Sequence, residues 1–282
     1  GDHEARQFLM AAFHLDMVHF LLNRMQELED SDYNRSCMEL YRSMIEKRRR
    51  RCPLQQILGS QEFMGLEFYV NQHVLIPRQD TETLVELVLE QQKNQEIRLL
   101  DLCTGSGCIA VSLAVKGGYR QVIAADISEE ALKVARRNWE RLRPENQEMK
   151  FFQGDLFDAL EKDTEAFDVI TANPPYIPTE VIRGLEPEVR DHEPMLALDG
   201  TADGLHFYRR IAAEAGRWLR PGGRIYLEIG YDQGAAVSGL LAEAGFTEIQ
   251  VVKDLPGKDR VVAAVYGSRR EQTGGSDVRQ IR

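Results

Sequence analysis

The chain has 282 residues, 43% of them hydrophobic and 28% charged, with a formal net charge of −10. That length buries a full core and holds one large domain or two smaller ones, and the composition is that of an ordinary soluble globular protein. The acidic balance argues against a nucleic-acid backbone as main partner, and no apolar run approaches the ~20 residues that cross a bilayer.

Gly1-Asp2-His3-Glu4 has neither a basic start nor an apolar signal core, which points to the cytoplasm rather than to secretion. Gly1, with no Met before it, implies that the natural start lies upstream. Cys37, Cys52, Cys103 and Cys108 show no paired metal spacing and read as small thiols of a reducing compartment, so no metal is expected.

In chain order, residues 4–28 carry apolar side chains at helical spacing (Phe8, Leu9, Ala12, Phe13, Leu15, Val18, Leu21, Leu22) and predict one amphipathic helix. A second helix is expected from Ser36 to Arg49, interrupted by Pro53. Its basic end, Lys47-Arg48-Arg49-Arg50-Arg51, reads as a solvated helix terminus. Residues 61–70 predict a short hairpin turning near Gly65, and Asp80 or Thr81 caps a helix running to about Gln91.

From Glu96 onward strands and helices alternate. Strands are expected at 97–101, 121–126, 149–153, 167–172, 222–229, 246–252 and 260–266, with helices at 107–116, 128–142, 203–219 and 232–244. Short connections between alternating elements predict an α/β fold with a mostly parallel seven-stranded sheet covered on both faces. The link between the last two strands is too short for a crossover helix, so the final strand should run antiparallel. The organisation expected is a helical domain over 1–60, a hairpin linker over 61–85, an α/β domain over 86–268 and a disordered tail over 269–282.

Leu99-Leu100-Asp101-Leu102-Cys103-Thr104-Gly105-Ser106-Gly107 is a strand entering a glycine-rich turn, where the backbone comes close to a ligand at a helix N-terminus. Rossmann dehydrogenases share that feature, so it is a weak signal by itself. Asp126 ends the next strand, where an acidic side chain accepts ribose hydroxyls; its alternative is a helix cap. Asp101 at a strand end suits a cationic ligand and would repel a pyrophosphate, which favours S-adenosylmethionine over a dinucleotide. Asp155 follows the third strand and is placed to accept an adenine amino group, with Leu156 or Phe157 packing on its ring.

Asn173-Pro174-Pro175-Tyr176 follows the buried run Phe167–Ala172. The Asn173 oxygen and the Pro174 carbonyl accept hydrogen bonds, and the two prolines stiffen the turn and remove backbone donors. A turn biased toward acceptors, beside a nucleoside-bearing cofactor, is equipment for holding an NH2 group and methylating its nitrogen. His192, in the segment between Tyr176 and Gly200 expected to cover the site, reads as part of a shaped turn and not as a catalyst.

These residues resemble the HemK/PrmC type of protein-(glutamine-N5) methyltransferase. The resemblance spans roughly residues 40–266 and rests on Pro53 to Gly59, Glu62-Phe63-Met64-Gly65, Ile76-Pro77-Arg78-Gln79-Asp80-Thr81-Glu82, the glycine turn, Asn173 to Tyr176, His192-Glu193-Pro194 and Leu219-Arg220-Pro221-Gly222-Gly223. It implies a class I methyltransferase fold that uses S-adenosylmethionine. It also implies an N-terminal domain for substrate recognition, and as substrate the glutamine of the Gly-Gly-Gln motif in peptide-chain release factors. The implied cofactor contacts are Asp101, Leu102, Cys103, Thr104, Gly105, Asp126, Leu156 and Asn173, to which the reading of the residues themselves adds Gly107 and Asp155; Cys103 replaces a common loop glycine, and its side chain is expected to point away from the ligand. The implied glutamine clamp is Asn173, Pro174, Pro175 and Tyr176, of which Asn173, Pro174 and Tyr176 bear on catalysis. Arg78 and Glu82 match the family, and a surface ion pair or a helix first turn explains them equally well. Two related activities share much of this pattern: an adenine-N6 nucleic-acid methyltransferase, and a glutamine methyltransferase acting on a ribosomal protein.

Overall fold

Strands buried on both faces need helices on both sides, and the computed structural model, which describes residues 1–145 and 147–267, has that arrangement. Its N-terminal part holds α1 (Asp2–Ala12), α2 (Met17–Asn23), α3 (Asp32–Arg49) and α4 (Leu54–Leu58), then a hairpin of β1 (Ser60–Phe63) and β2 (Leu66–Tyr69). There follow α5 (Gln79–Gln91), β3 (Arg98–Leu102), α6 (Cys108–Gly117), β4 (Gln121–Asp126), α7 (Glu129–Leu142), β5 (Met149–Gln153), a 3-10 turn over Leu156–Ala159, and β6 (Phe167–Ala172). The next segment carries α8 (Thr179–Ile182), α9 (Pro187–Arg190) and α10 (Met195–Leu198). The chain continues through α11 (His206–Trp218), β7 (Leu219–Glu228), α12 (Gly234–Glu243), β8 (Phe246–Lys253) and β9 (Asp259–Tyr266). The tail expected over 269–282 lies outside the described residues.

The seven-stranded sheet has the order β5-β4-β3-β6-β7-β9-β8. β5 through β7 are parallel, and β9 is antiparallel to both of its neighbours, as the short link before it predicts. Alternate residues feed two cores. Leu99, Val122, Ala124, Val169 and Tyr226 pack with α5 and α6, whereas Leu100, Ile123, Ile170, Ile225 and Leu227 pack with α11 and α12.

The N-terminal region departs from the expected single helix over 4–28. His14 adopts φ 54°, and Asp16 starts a fresh helix by accepting the His19 N–H at 2.7 Å. α1 buries Phe8 and Ala12, of which Ala12 packs with Cys37 of α3, while α2 has no buried residue. α3 begins earlier than Ser36 because Ser31 caps it, its hydroxyl accepting from the Asn34 N–H at 3.2 Å.

The basic cluster is only partly the solvated end expected. Arg49 and Arg50 pair along the helix with Glu46, but Arg48 and Arg51 turn toward the segment after β6. Arg48 reaches Glu4 at 2.9 Å and Glu188 at 3.0 Å, and Arg51 reaches Glu188 at 2.7 Å. Gln56 donates to the His192 carbonyl, and the His192 ring contacts the Arg50 carbonyl, both at 3.0 Å. His192 is therefore a joint between the helical domain and that segment.

Two buried polar residues set the glycine turn. Asp101 is fully buried and accepts from the Thr104 hydroxyl at 2.6 Å and from Thr171 at 2.7 Å, which ties the turn to β6. Burial pushes its carboxyl up to about 7, against those two hydrogen bonds. Asn138, on α7 and fully buried, donates to the carbonyls of Ser106 (2.9 Å) and Tyr69 (3.0 Å) and accepts from the Tyr69 N–H (2.7 Å). One amide thus clamps helix, turn and hairpin together. Gly107 completes the packing: its φ is 79°, and a Cβ there would lie 3.1 Å from that of Ala135 on α7.

Asn138→Ala leaves buried backbone groups without partners and is expected to destabilise the fold by ~3 kcal/mol, read from urea denaturation. A midpoint equal to that of the wild type would contradict this role. For Asp101 the folded pKa is raised, so its ionisation opposes folding and stability is lost as pH rises toward and through about 7. Asp101→Asn carries no such charge. Its stability relative to the wild type should therefore grow by ~3 kcal/mol between pH 5 and pH 8. A difference that is constant with pH would contradict the assignment.

Candidate active site

The loops that leave the carboxyl ends of β3, β4, β5 and β6 open onto one cavity of about 320 Å³. Its floor is the glycine turn: Cys103, Thr104, Gly105 and Ser106 line it, with Ala125, Asp126 and Ile127 from the end of β4. Asp126 is fixed from two sides, since its carboxylate accepts the Gly105 N–H at 2.8 Å and the Ser128 N–H at 2.9 Å. Burial holds it above the usual carboxylate range, and those N–H groups oppose the shift. Asp126 is therefore both the loop brace and a pre-oriented acceptor with lone pairs to spare.

Cys103 takes φ 55°, the left-handed conformation that suits the glycine it replaces. Its side chain packs against the core on the α11 side, and the residue also lines the cavity. At Gly105 a Cβ would meet nothing within 4 Å, so the turn presents open space to the cavity.

Not every expected contact reaches the wall. Asp101 and Leu102 are fully buried behind the turn, and Gly107 lies against α7. They shape the floor without forming it. Asp155 lines the cavity, but both of its oxygens lie 2.9 Å from Nη1 of Arg210 on α11, so the acidic point expected to stand alone is an ion pair. Leu156 lines the wall with φ 53°. Phe157 turns away and stacks on Trp218 at 6.2 Å between ring centroids, so of the two apolar candidates Leu156 alone lines the cavity.

Of the Asn173–Tyr176 turn, Asn173 and Pro175 line the cavity. Pro174 is buried, and among the described residues no backbone N–H is bonded to its carbonyl. Tyr176 packs against the core, and its carbonyl accepts from Gln233 at 3.0 Å. Gly204 (φ 73°) permits this, because a Cβ there would stand 2.3 Å from that carbonyl oxygen. The segment after the turn loops out and is stapled at its base by the Ile177 N–H to Leu198 (3.0 Å) and the Gly200 N–H to Ile177 (2.9 Å). It returns Pro194, Leu196 and Ala197 to the cavity, which it covers.

Arg78 lines the cavity and forks onto Glu193, a 5% exposed residue of the covering segment, at 2.8 and 2.7 Å. Glu82 instead accepts the Met64 N–H at 2.5 Å and holds the hairpin turn on α5. His73, Val74 and Leu75 after the hairpin and His206, Phe207 and Arg210 on α11 also line the cavity, and sequence patterning singles out none of them.

This cavity fits S-adenosylmethionine. The turn is open at Gly105, an anchored acceptor stands at Asp126, and the lining is mainly apolar.

Comparison with known proteins agrees. Residues 2–59 match the PrmC N-terminal domain family, and residues 79–183 match the methyltransferase small domain family. A protein of Geobacter sulfurreducens called release factor glutamine methyltransferase is 41% identical over 264 residues, covering 94% of this chain and 89% of that one. The Caulobacter vibrioides protein of the same name is 46% identical over 222 residues, covering 78% of this chain and 76% of its own length. The fold recurs in a Pyrococcus furiosus methyltransferase (TM-score 0.54, 20% identity, 83% of this chain and 98% of that one). It recurs also in the hMettl16 catalytic domain (TM-score 0.59, 17% identity, 77% and 81%). The chain is an S-adenosylmethionine-dependent enzyme and belongs to the release factor glutamine methyltransferase family.

Proposed function

We propose that this chain transfers a methyl group from S-adenosylmethionine to the side-chain amide nitrogen of the glutamine in the Gly-Gly-Gln motif of a peptide-chain release factor, in the cytoplasm. The observation that carries the reading is the shared wall: Asn173 opens onto the same cavity as Gly105 and Asp126. The family membership names the acceptor class. Cys103, Thr104, Gly105, Asp126, Asp155, Leu156 and Asn173 would hold the cofactor, with Asp101, Leu102 and Gly107 shaping the turn from behind.

S-adenosylmethionine, when bound, supplies an electrophilic methyl group on sulfur. A glutamine amide nitrogen is a poor nucleophile, because its lone pair is delocalised into the carbonyl. The Asn173 oxygen and the Pro174 carbonyl would each accept one of its N–H bonds and aim the remaining density into the cavity. Holding reactants in such a pose supplies ~7–11 kcal/mol in favourable systems. Transfer would form the N–C bond as the donor's S–C bond breaks, with the nitrogen losing one proton to water, so no side chain need act as a base. Val74, Ile109, Leu156 and Phe207 exclude water and favour the state in which charge is dispersed. Tyr176 packs the turn from below.

The helical N-terminal domain would recognise the acceptor protein. In support, α2 exposes Met17, Val18, Leu21 and Leu22, and the domain is tied through Arg48, Arg51 and His192 to the segment covering the cavity. The net charge of −10 favours a protein partner over direct contact with nucleic acid.

Asn173→Ala should lower kcat for a release factor about a hundredfold, equivalent to ~2.7 kcal/mol of transition-state stabilisation, with only a modest change in cofactor affinity. Labelled methyl transfer and calorimetry measure the two separately. Wild-type turnover in this variant would contradict the role.

A further inference from the structure

An asparagine that clamps an NH2 group must present its oxygen, yet its two amide ends are nearly the same size. A flipped Asn173 would set NH2 against NH2. Something must therefore fix the amide, and the sheet shows what lies beside it. In the parallel β6–β7 ladder, Ala172 pairs with Leu227, so one step further Asn173 comes alongside Glu228 at the end of β7.

Glu228 is an unusual residue to bury. It is 2% exposed, its Oε2 has no hydrogen-bond partner among the described residues, and the Thr81 and Asn173 side chains lie close enough to act on its charge. The peptide that follows it is anchored at both ends, by the Tyr208 hydroxyl donating to the Glu228 carbonyl at 2.8 Å and by the Ile229 N–H donating to the Arg260 carbonyl at 2.9 Å. A carboxylate has no hydrogen to give, so a hydrogen bond between it and Asn173 would run from Nδ2 and leave Oδ1 as the outward acceptor. A desolvated carboxylate with an orphan oxygen is destabilising, and an apolar side chain of similar volume is often neutral or better at such a position.

We infer that Glu228 is the positioning residue that holds the Asn173 amide with its oxygen turned toward the acceptor nitrogen. This rests on the clamp role of Asn173 proposed above.

The surroundings give the inference a pH signature. Glu228 is faced by Asp80 and Thr81 from α5, Arg260 from β9, Tyr176 and Asn173 from the turn after β6, Tyr208 from α11 and Cys108 from α6. Burial, with Asp80 adding to it against Arg260, pushes its carboxyl up to about 7. Below that pH the group carries a proton that it donates, which satisfies Asn173 in the wrong orientation. Turnover should therefore fall as pH drops through about 7.

The test uses the full-length protein, a release factor as acceptor, and the Glu228→Leu and Glu228→Gln variants between pH 6 and pH 8.5. Glu228→Leu should lose at least tenfold in kcat, while S-adenosylmethionine affinity stays within twofold by calorimetry and the denaturation midpoint of the unliganded protein does not fall. Glu228→Gln sets a donor beside its acceptor oxygen, as the protonated carboxyl does, and cannot titrate; its kcat should stay near the low-pH level of the wild type throughout and show no acid limb. Wild-type kcat at pH 8.5 in either variant, or an acid limb that persists in Glu228→Gln, would overturn the inference. If Glu228→Leu fails to fold, the pH profile of Glu228→Gln decides alone. A wild-type protein that methylates no glutamine would refute the functional reading itself, and that control is read first.

Discussion

The site depends on one topological constraint: β3 and β6 are neighbours in the sheet although β4 and β5 lie between them in the chain. Leu102 pairs with Ala172, so the glycine turn after β3 and the Asn173 turn after β6 must leave the sheet at the same level and share one space. Strand order reverses at this point, and in open α/β sheets ligands bind where it does. Two recognition elements that are weak signals apart become one site because the ladder sets them side by side. The Thr171–Asp101 hydrogen bond is the molecular form of that constraint, crossing from one strand to the other at 2.7 Å.

Around this junction the protein buries carboxylates that a stability-optimised core would omit. Asp101 braces the turn, Glu228 lies beside Asn173, and Glu193 anchors the covering segment to Arg78. In each, burial raises the pKa against the partners that hold it, so the carboxyl is desolvated at some cost in stability. What they provide is position. A methyl transfer that proceeds without a base depends on angles and distances, and a carboxylate that can only accept imposes a direction that an apolar residue cannot.

Much of this was legible in the sequence where the signal is local. The strand-to-turn runs at Leu99–Gly107 and Phe167–Tyr176 announce their own geometry through apolar residues, glycines and prolines. The antiparallel last strand follows from the short link before it. The helical domain was harder to read, because apolar spacing continues across His14, and only its left-handed backbone and the Asp16 cap divide α1 from α2. The cavity wall supplied by α11, and the ion pair that anchors the covering segment, were invisible for a different reason. Arg78 and Glu193 stand 115 residues apart, and no spacing rule brings them together. The Arg210 partner of Asp155, like the part of the basic cluster that turns to Glu188, belongs to the same class of long-range pairing.

The account's central claim is that this cavity holds a glutamine NH2 between two acceptors. Its most direct test is mass spectrometry of a release factor after incubation with the enzyme and labelled S-adenosylmethionine, alongside the same factor with glutamate in place of the Gly-Gly-Gln glutamine. The account predicts one methyl group on the glutamine side chain and none on the glutamate variant, whose carboxylate lacks the donors and would face two acceptors. Methylation elsewhere on the factor, equal labelling of the glutamate variant, or methyl transfer to adenine with the factor untouched would contradict it.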